Sequence, residues 1–109
     1  MLAKKYRLKK RKAFNYIYKH GKKASGDFVS VVYSNGTAKF GFSANKKVGN
    51  SVVRHRAVRL MREAVKSLLP KISTSNNYIF IAREGIEKQH LLYITLDVQK
   101  MLQKCGVLC

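Results

Sequence analysis

The sequence predicts an α+β fold: a small two-layer sandwich in which one mostly antiparallel sheet of about four strands packs with three helices, in the order α-β-β-β-α-β-α. Three observations predict it. At 109 residues the chain holds enough material for one core and too little for two, so residues 1–109 are expected to form a single domain. Three stretches place apolar residues at helical spacing, while others alternate or run through β-branched and aromatic residues as strands do. The two kinds are too few, and too mixed in order, for a doubly wound sheet.

The elements follow along the chain. In "KKRKAFNYIYKHG", Ala13, Phe14, Ile17 and Tyr18 share one helical side, which predicts a first helix over Lys9–His20. Gly21 is expected to end it, since glycine accepts the left-handed conformation common after a helix. Val29, Val31 and Tyr33 then alternate with Phe28, Ser30 and Val32, and Phe40 and Phe42 alternate with Gly41 and Ser43. With Asn35-Gly36 as a tight turn, these predict a hairpin pairing Phe28–Tyr33 with Lys39–Ala44. The signal for a short further strand before Phe28 is poor. "NKKVGN" is a loop in which Asn50 or Ser51 can cap a second helix over Val52–Leu69. Pro70, the only proline, ends that helix because the residue before a proline is pushed off helical angles. "YIFIAR" (Tyr78–Arg83) predicts another strand. A last helix over Leu92–Lys104 puts Ile94, Val98, Met101, Leu102 and Cys105 on one side, with Gly106 closing it.

Charge bounds the function. Apolar residues make up 46% of the chain, so it can fold, yet 23 Lys and Arg face only 5 Asp and Glu, a formal charge of +18. That excess draws a domain to polyanions, nucleic acid first and anionic membrane second. Residues 4–23 alone carry ten Lys or Arg and no acid. No apolar run reaches spanning length, and none follows the basic N-terminus as a secretory signal requires. Cys105 and Cys109 have no zinc-spaced partners and are expected to be reduced thiols on or near the last helix, which points to the cytoplasm.

The second helix is the most informative stretch. Ala57, Leu60, Met61, Ala64, Val65 and Leu68 form its apolar side, and His55, Arg59, Arg62 and Lys66 stack on the opposite side at intervals of four, three and four. Solvated faces usually mix both signs; here Glu63 is the one acid. Arg54 and Arg56 sit in the first turns, where the helix dipole disfavours cations by about 0.3–1 kcal/mol each. A phosphate placed there would meet free N–H groups, the dipole and two guanidinium forks together. Lys46 and Lys47 extend the patch upstream. A membrane role is excluded because the core needs this helix's apolar face. Sequence-specific DNA reading lacks Asn or Gln on the basic face.

"FSANKKVGNSVVRHRAVRLMREA" resembles the signature of the protein subunit of bacterial ribonuclease P, in which a strand leads into a Lys-Lys loop, Gly-Asn, and an Arg-Asn-Arg core within a helix. Lys46-Lys47, Gly49-Asn50 and Arg54-His55-Arg56 stand in those places, and Arg59 and Arg62 match further arginines. "RLKKRKAF", with Arg7, Leu8, Phe14 and then Tyr18, resembles the family's first helix, and "YIFIARE" its following strand. Three positions depart from the pattern. His55 replaces the usual Asn, Val58 stands where a Lys is common, and Val31 stands where the first strand often carries an aromatic.

The resemblance implies a sandwich with a left-handed β-α-β crossover through the basic helix, a handedness that most folds avoid. It implies an accessory subunit of a ribonucleoprotein endoribonuclease that removes the 5′ leader of precursor tRNA, with the RNA carrying the chemistry through Mg²⁺. The protein is then expected to act as a monomer in a one-to-one complex, with no catalytic residue, metal or cofactor of its own. Lys46, Lys47, Asn50, Arg54, His55, Arg56, Arg59, Arg62 and Lys66 would hold the catalytic RNA. Arg7, Lys9, Lys10, Phe14 and Tyr18 would form the leader cleft between the first helix and the sheet. The residues themselves support aromatic faces with a basic rim as a single-strand platform, although Phe14 and Tyr18 could equally be core, and Phe40, Phe42 and Tyr78 read first as core, though any of the three could face the cleft. The scattered Asp, Glu, His and Ser residues form no catalytic or metal constellation. A small ribosomal or other structural RNA binder would share the size and charge, but not the ordered Lys-Lys-Gly-Asn-Arg-His-Arg run beside a separate aromatic helix.

Overall fold

The computed structural model describes residues 4–108. Helix α1 (Arg11–His20) is followed by strands β1 (Lys22–Ser25), β2 (Val29–Asn35) and β3 (Phe40–Ser43), helix α2 (Ser51–Leu68), strand β4 (Asn76–Ala82) and helix α3 (Leu91–Cys105). The order is the one the sequence predicts. Among the described residues no helix is long and apolar enough to cross a membrane.

The four strands form one sheet in the order β1-β2-β4-β3. β1 pairs antiparallel with β2, and β2 antiparallel with β4, with Val31 opposite Phe80. β3 runs parallel to β4, with Phe40 opposite Tyr78 and Phe42 opposite Phe80. This corrects the expected hairpin: β2 and β3 are not partners, because β4 lies between them. Asn35-Gly36 begins a cross-sheet connection rather than a two-residue turn. Gly36 N–H donates to Ser75 O, Ala38 N–H to Asn76 O, and the Asn77 side-chain oxygen accepts from Thr37 and Lys39 N–H. Ala38 adopts φ 61°, which makes the sharp exit possible. The true hairpin is β1–β2, turning through Gly26-Asp27-Phe28. There the Asp97 carboxylate accepts the N–H groups of Asp27, Phe28 and Val29 at 2.8, 2.9 and 3.1 Å, fastening the turn to α3.

Side chains alternate across the sheet and so build two cores. Val29, Val31, Phe40, Tyr78, Phe80 and Ala82 face α2 and α3, which contribute Ala57, Met61, Ala64, Val65 and Leu68, and Ile94, Val98, Met101 and Leu102. Phe40 stacks on Tyr78 with centroids 5.2 Å apart, and Phe42 on Phe80 at 5.8 Å, each pair in strand register. Val31 is fully buried here, so it does not face α1. On the opposite face Val32 and Ile79 receive Ile17 of α1, with Leu8, Phe14 and Ile81 partly buried around them.

Helix ends follow local chemistry. Asn50 caps α2, its side-chain oxygen accepting Val53 N–H at 3.0 Å. Gly106 closes α3 in the left-handed conformation, φ 74°. Gly21 does not close α1 in that way: its φ is −77°, ordinary extended backbone. Glycine is needed there for closeness, because a Cβ would lie 2.5 Å from Ile17 O and 2.7 Å from Val32 Cγ1. Cys105 is a free, half-buried thiol, and Cys109 lies outside the described residues.

Candidate RNA-binding surfaces

α2 buries one side and presents the other. At about 100° per residue, His55, Arg59, Arg62 and Lys66 fall within roughly 60° of one another, and Ala57, Met61, Ala64 and Leu68 lie across the helix from them. The helix forms accordingly: its apolar side is buried, while His55, Arg56, Arg59 and Lys66 are exposed and Arg62 is half-buried. Ser51, His55, Arg56, Arg59, Arg62 and Glu63 line a broad groove of about 1000 Å³. Among the described residues none of Arg54, Arg56, Arg59, Arg62 or Lys66 forms an ion pair with a carboxylate, Glu63 included. The cations are not neutralised by carboxylates, and His55, Arg56, Arg59 and Lys66 face solvent.

Arg54 stands apart. It lies about 100° from His55 around the helix, toward the core side. It is half-buried, and its Nε has no hydrogen-bond partner. It does not line the groove with Arg56 and Arg59. Asn50 is exposed, but its side-chain oxygen is committed to the cap, leaving only the amide N–H₂ to donate outward. Lys46 and Lys47 are exposed in the turn before α2. Lys47 borders a separate depression with Asp27, Arg83 and Glu84.

A second cavity, about 310 Å³, sits where the N-terminal segment meets the sheet edge. Arg7 bridges to Phe40 in parallel, and Leu8 N–H donates to Phe40 O at 2.8 Å, so this segment covers the start of the β3 edge. The cavity is lined by Arg7, Lys9, Phe14, Gly41, Phe42 and Arg62, with Leu8 and Phe40 beside them. Three of the five residues predicted for the cleft, Arg7, Lys9 and Phe14, therefore meet there. Lys10 is the exposed residue before α1, and Tyr18 is exposed on the Phe14 side of α1; neither lines the cavity.

Sequence reasoning missed Gly41 as a cleft residue, and read Phe42 first as core while leaving it open to the cleft. Gly41 was legible in principle, since a glycine inside a strand marks a close approach. A Cβ there would lie 2.6 Å from two ring carbons of Phe14. Phe42 carries the Arg62 guanidinium 5.6 Å from its ring centroid, a cation–π contact. Arg62 thus belongs to both surfaces, the groove of α2 and the cavity beside α1. Among the described residues no group of three or more His, Cys, Asp or Glu side chains gathers as a metal site.

A family model described as Ribonuclease P matches residues 2–106. The ribonuclease P protein component of Clostridium kluyveri is 36% identical over 107 residues, covering 94% of this chain and 96% of that protein. The one from Alkaliphilus metalliredigens is 39% identical over 101 residues, covering 90% and 91%. The solved RNase P protein of Staphylococcus aureus superposes with a TM-score of 0.82 at 30% identity, covering 95% of this chain and 98% of its own. The RNase P protein of Thermotoga maritima gives 0.80 over 90% and 96%; at 19% identity this is a likeness of fold.

Proposed function

Because the chain belongs to the ribonuclease P protein family, and is a protein component of that ribonucleoprotein endoribonuclease, we propose that its two surfaces divide the work of one substrate-handling subunit. The exposed side of α2, with Lys46, Lys47, Asn50, His55, Arg56, Arg59, Arg62 and Lys66, grips the phosphate backbone of the catalytic RNA, and half-buried Arg54 adds its guanidinium at the start of that helix. The cavity beside α1 holds the single-stranded 5′ leader of precursor tRNA, with Phe14 and Phe42 as base-stacking faces and Arg7, Lys9 and Arg62 on the phosphates. Lys10 and Tyr18 extend this path along α1. Residues 1–109 act as one RNA-binding domain, a monomer in a one-to-one complex in the cytoplasm. Mg²⁺ acts through the RNA, and the protein supplies position and charge.

The observation that carries this reading is the shared Arg62. One guanidinium lines the groove of α2 and also lies over the Phe42 ring in the cavity. A leader seated in the cavity would therefore run directly beside the RNA gripped by α2, so the protein would bring the two RNAs together. Stacking one base on an aromatic contributes roughly 1–3 kcal/mol, enough to distinguish precursor from mature tRNA.

The test is reconstitution with bacterial catalytic RNA and precursor tRNA at low Mg²⁺, where added protein restores leader removal. Arg59→Ala should weaken binding to the catalytic RNA alone, and Phe14→Ala should weaken precursor and spare mature tRNA. Arg62→Ala should do both. If Arg62→Ala affects only one of the two, the surfaces are not coupled through it, and the reading fails.

A further inference from the structure

The leader cavity occupies one flank of α1; a smaller notch occupies the other. Around the helix, Phe14 and Tyr18 lie about 40° apart, Tyr16 and His20 about 40° apart, and the two pairs roughly 200° from each other. Ile17 falls between them and is the residue turned fully into the sheet. Each pair therefore overhangs one side of the seam between α1 and the sheet. On the second side Tyr16, His20, Lys22, Ser34, Asn35 and Asn76 enclose about 240 Å³.

We propose that this notch binds one unpaired ribonucleotide, a second single-strand site on the flank of α1 opposite the leader cavity. The inference rests on the RNA-binding reading above and extends it to a different surface. Tyr16 is 59% exposed, so its ring is not held out of water by the core. It lies 4.7 Å from the His20 ring at a 45° tilt, which makes a paired aromatic wall. The paired ends of β2 and β4, Asn35 opposite Asn76, border the same notch. Lys22 supplies the cation for a phosphate, and no acid lines the notch.

Size and polarity select the ligand. The volume lies below the roughly 300–1,000 Å³ typical of sites for drug-sized molecules, and it suits a single base with its sugar. A duplex cannot present a base to it, because paired bases are stacked inside; only a splayed, unpaired base can enter. Two sources share that chemistry: a leader nucleotide distal to the cavity, and an unpaired nucleotide of the catalytic RNA.

The experiment uses the full chain with Tyr16→Ala, Tyr16→Ala/His20→Ala and Tyr16→Phe. Two affinities are measured: that of the protein for catalytic RNA, and that of the reconstituted particle for precursor tRNAs with leaders of graded length. Loss of a stacked base should weaken one of them about 5- to 150-fold, and Tyr16→Phe should retain the wild-type value because the ring remains. A loss that appears only with longer leaders assigns the notch to the leader. A loss for catalytic RNA that is independent of leader length assigns it to the ribozyme. If both alanine variants leave both affinities unchanged while Phe14→Ala still weakens precursor binding, the notch is refuted and the leader cavity stands. If Phe14→Ala is silent as well, the leader cavity fails along with it.

Discussion

Gly41→Ala tests the leader cavity through its geometry, without removing any group proposed to touch RNA. A Cβ at position 41 would stand 2.6 Å from Phe14 Cε1 and Cζ and 3.3 Å from Leu8 Cδ2. Ordinary contact begins near 3.4 Å, so the Phe14 ring must retreat by 3.4 − 2.6 = 0.8 Å or more. Leu8 blocks one way out, and the half-buried ring has solvent on the other, so it swings outward. Overpacking costs typically 1–3 kcal/mol in a closed core; with an open side the cost should fall near the lower end, about 1 kcal/mol, readable as a shift of the urea midpoint. The functional effect should be larger. A displaced ring forfeits base stacking, so precursor affinity of the reconstituted particle should fall about 5- to 150-fold, with mature tRNA unaffected. In a Phe14→Ala background, Gly41→Ala should do nothing further to precursor binding, because the two changes act on one contact. Precursor affinity within twofold of wild type, or an equal loss in the Phe14→Ala background, would refute the reasoning.

Three further outcomes follow from the fold. Asp97→Ala removes one carboxylate from three backbone N–H groups and should cost about 2–4 kcal/mol in urea denaturation, with Asp97→Asn losing less because one oxygen remains to accept. Asn50→Ala should cost about 1 kcal/mol through the lost cap of α2, seen as a lower thermal midpoint. Burial, and then the adjacent Cys105 thiol, raise the Tyr33 pKa above its usual 10.0. The folded state therefore holds that proton more tightly than the unfolded chain. Its contribution is intact below pH 10 and is lost as pH rises beyond it, so Tyr33→Phe should flatten the loss of stability on alkaline titration.

What the sequence disclosed was local. The helix boundaries differ from the observed ones by no more than two residues, because apolar period and end signals are written in neighbouring positions. Lys9–His20 became Arg11–His20, Val52–Leu69 became Ser51–Leu68, and Leu92–Lys104 became Leu91–Cys105. Strand pairing was not written locally. Alternation in Phe28–Tyr33 and Lys39–Ala44 marks each as a strand but carries no mark of its partner, and the nearest candidate was not the one used. Only β4, some forty residues further on, explains why Asn35-Gly36 leads across the sheet. The basic stripe was legible because helical angle alone fixes it. The half-burial of Arg54 follows from the same angle. The cleft was legible in Phe14 and Arg7, left open for Phe42, and illegible in Arg62, which reaches it from α2, an element whose placement depends on the crossover.

The most direct measurement of the central claim is the salt dependence of binding to the catalytic RNA, wild type against Arg56→Ala/Arg59→Ala. Cations left without ion pairs on the exposed side of α2 should each release counterions on meeting a phosphate. The double variant should therefore bind more weakly and show a log–log salt slope shallower by about 1.4–1.8. An unchanged affinity and slope would mean that this side of α2 does not touch the RNA.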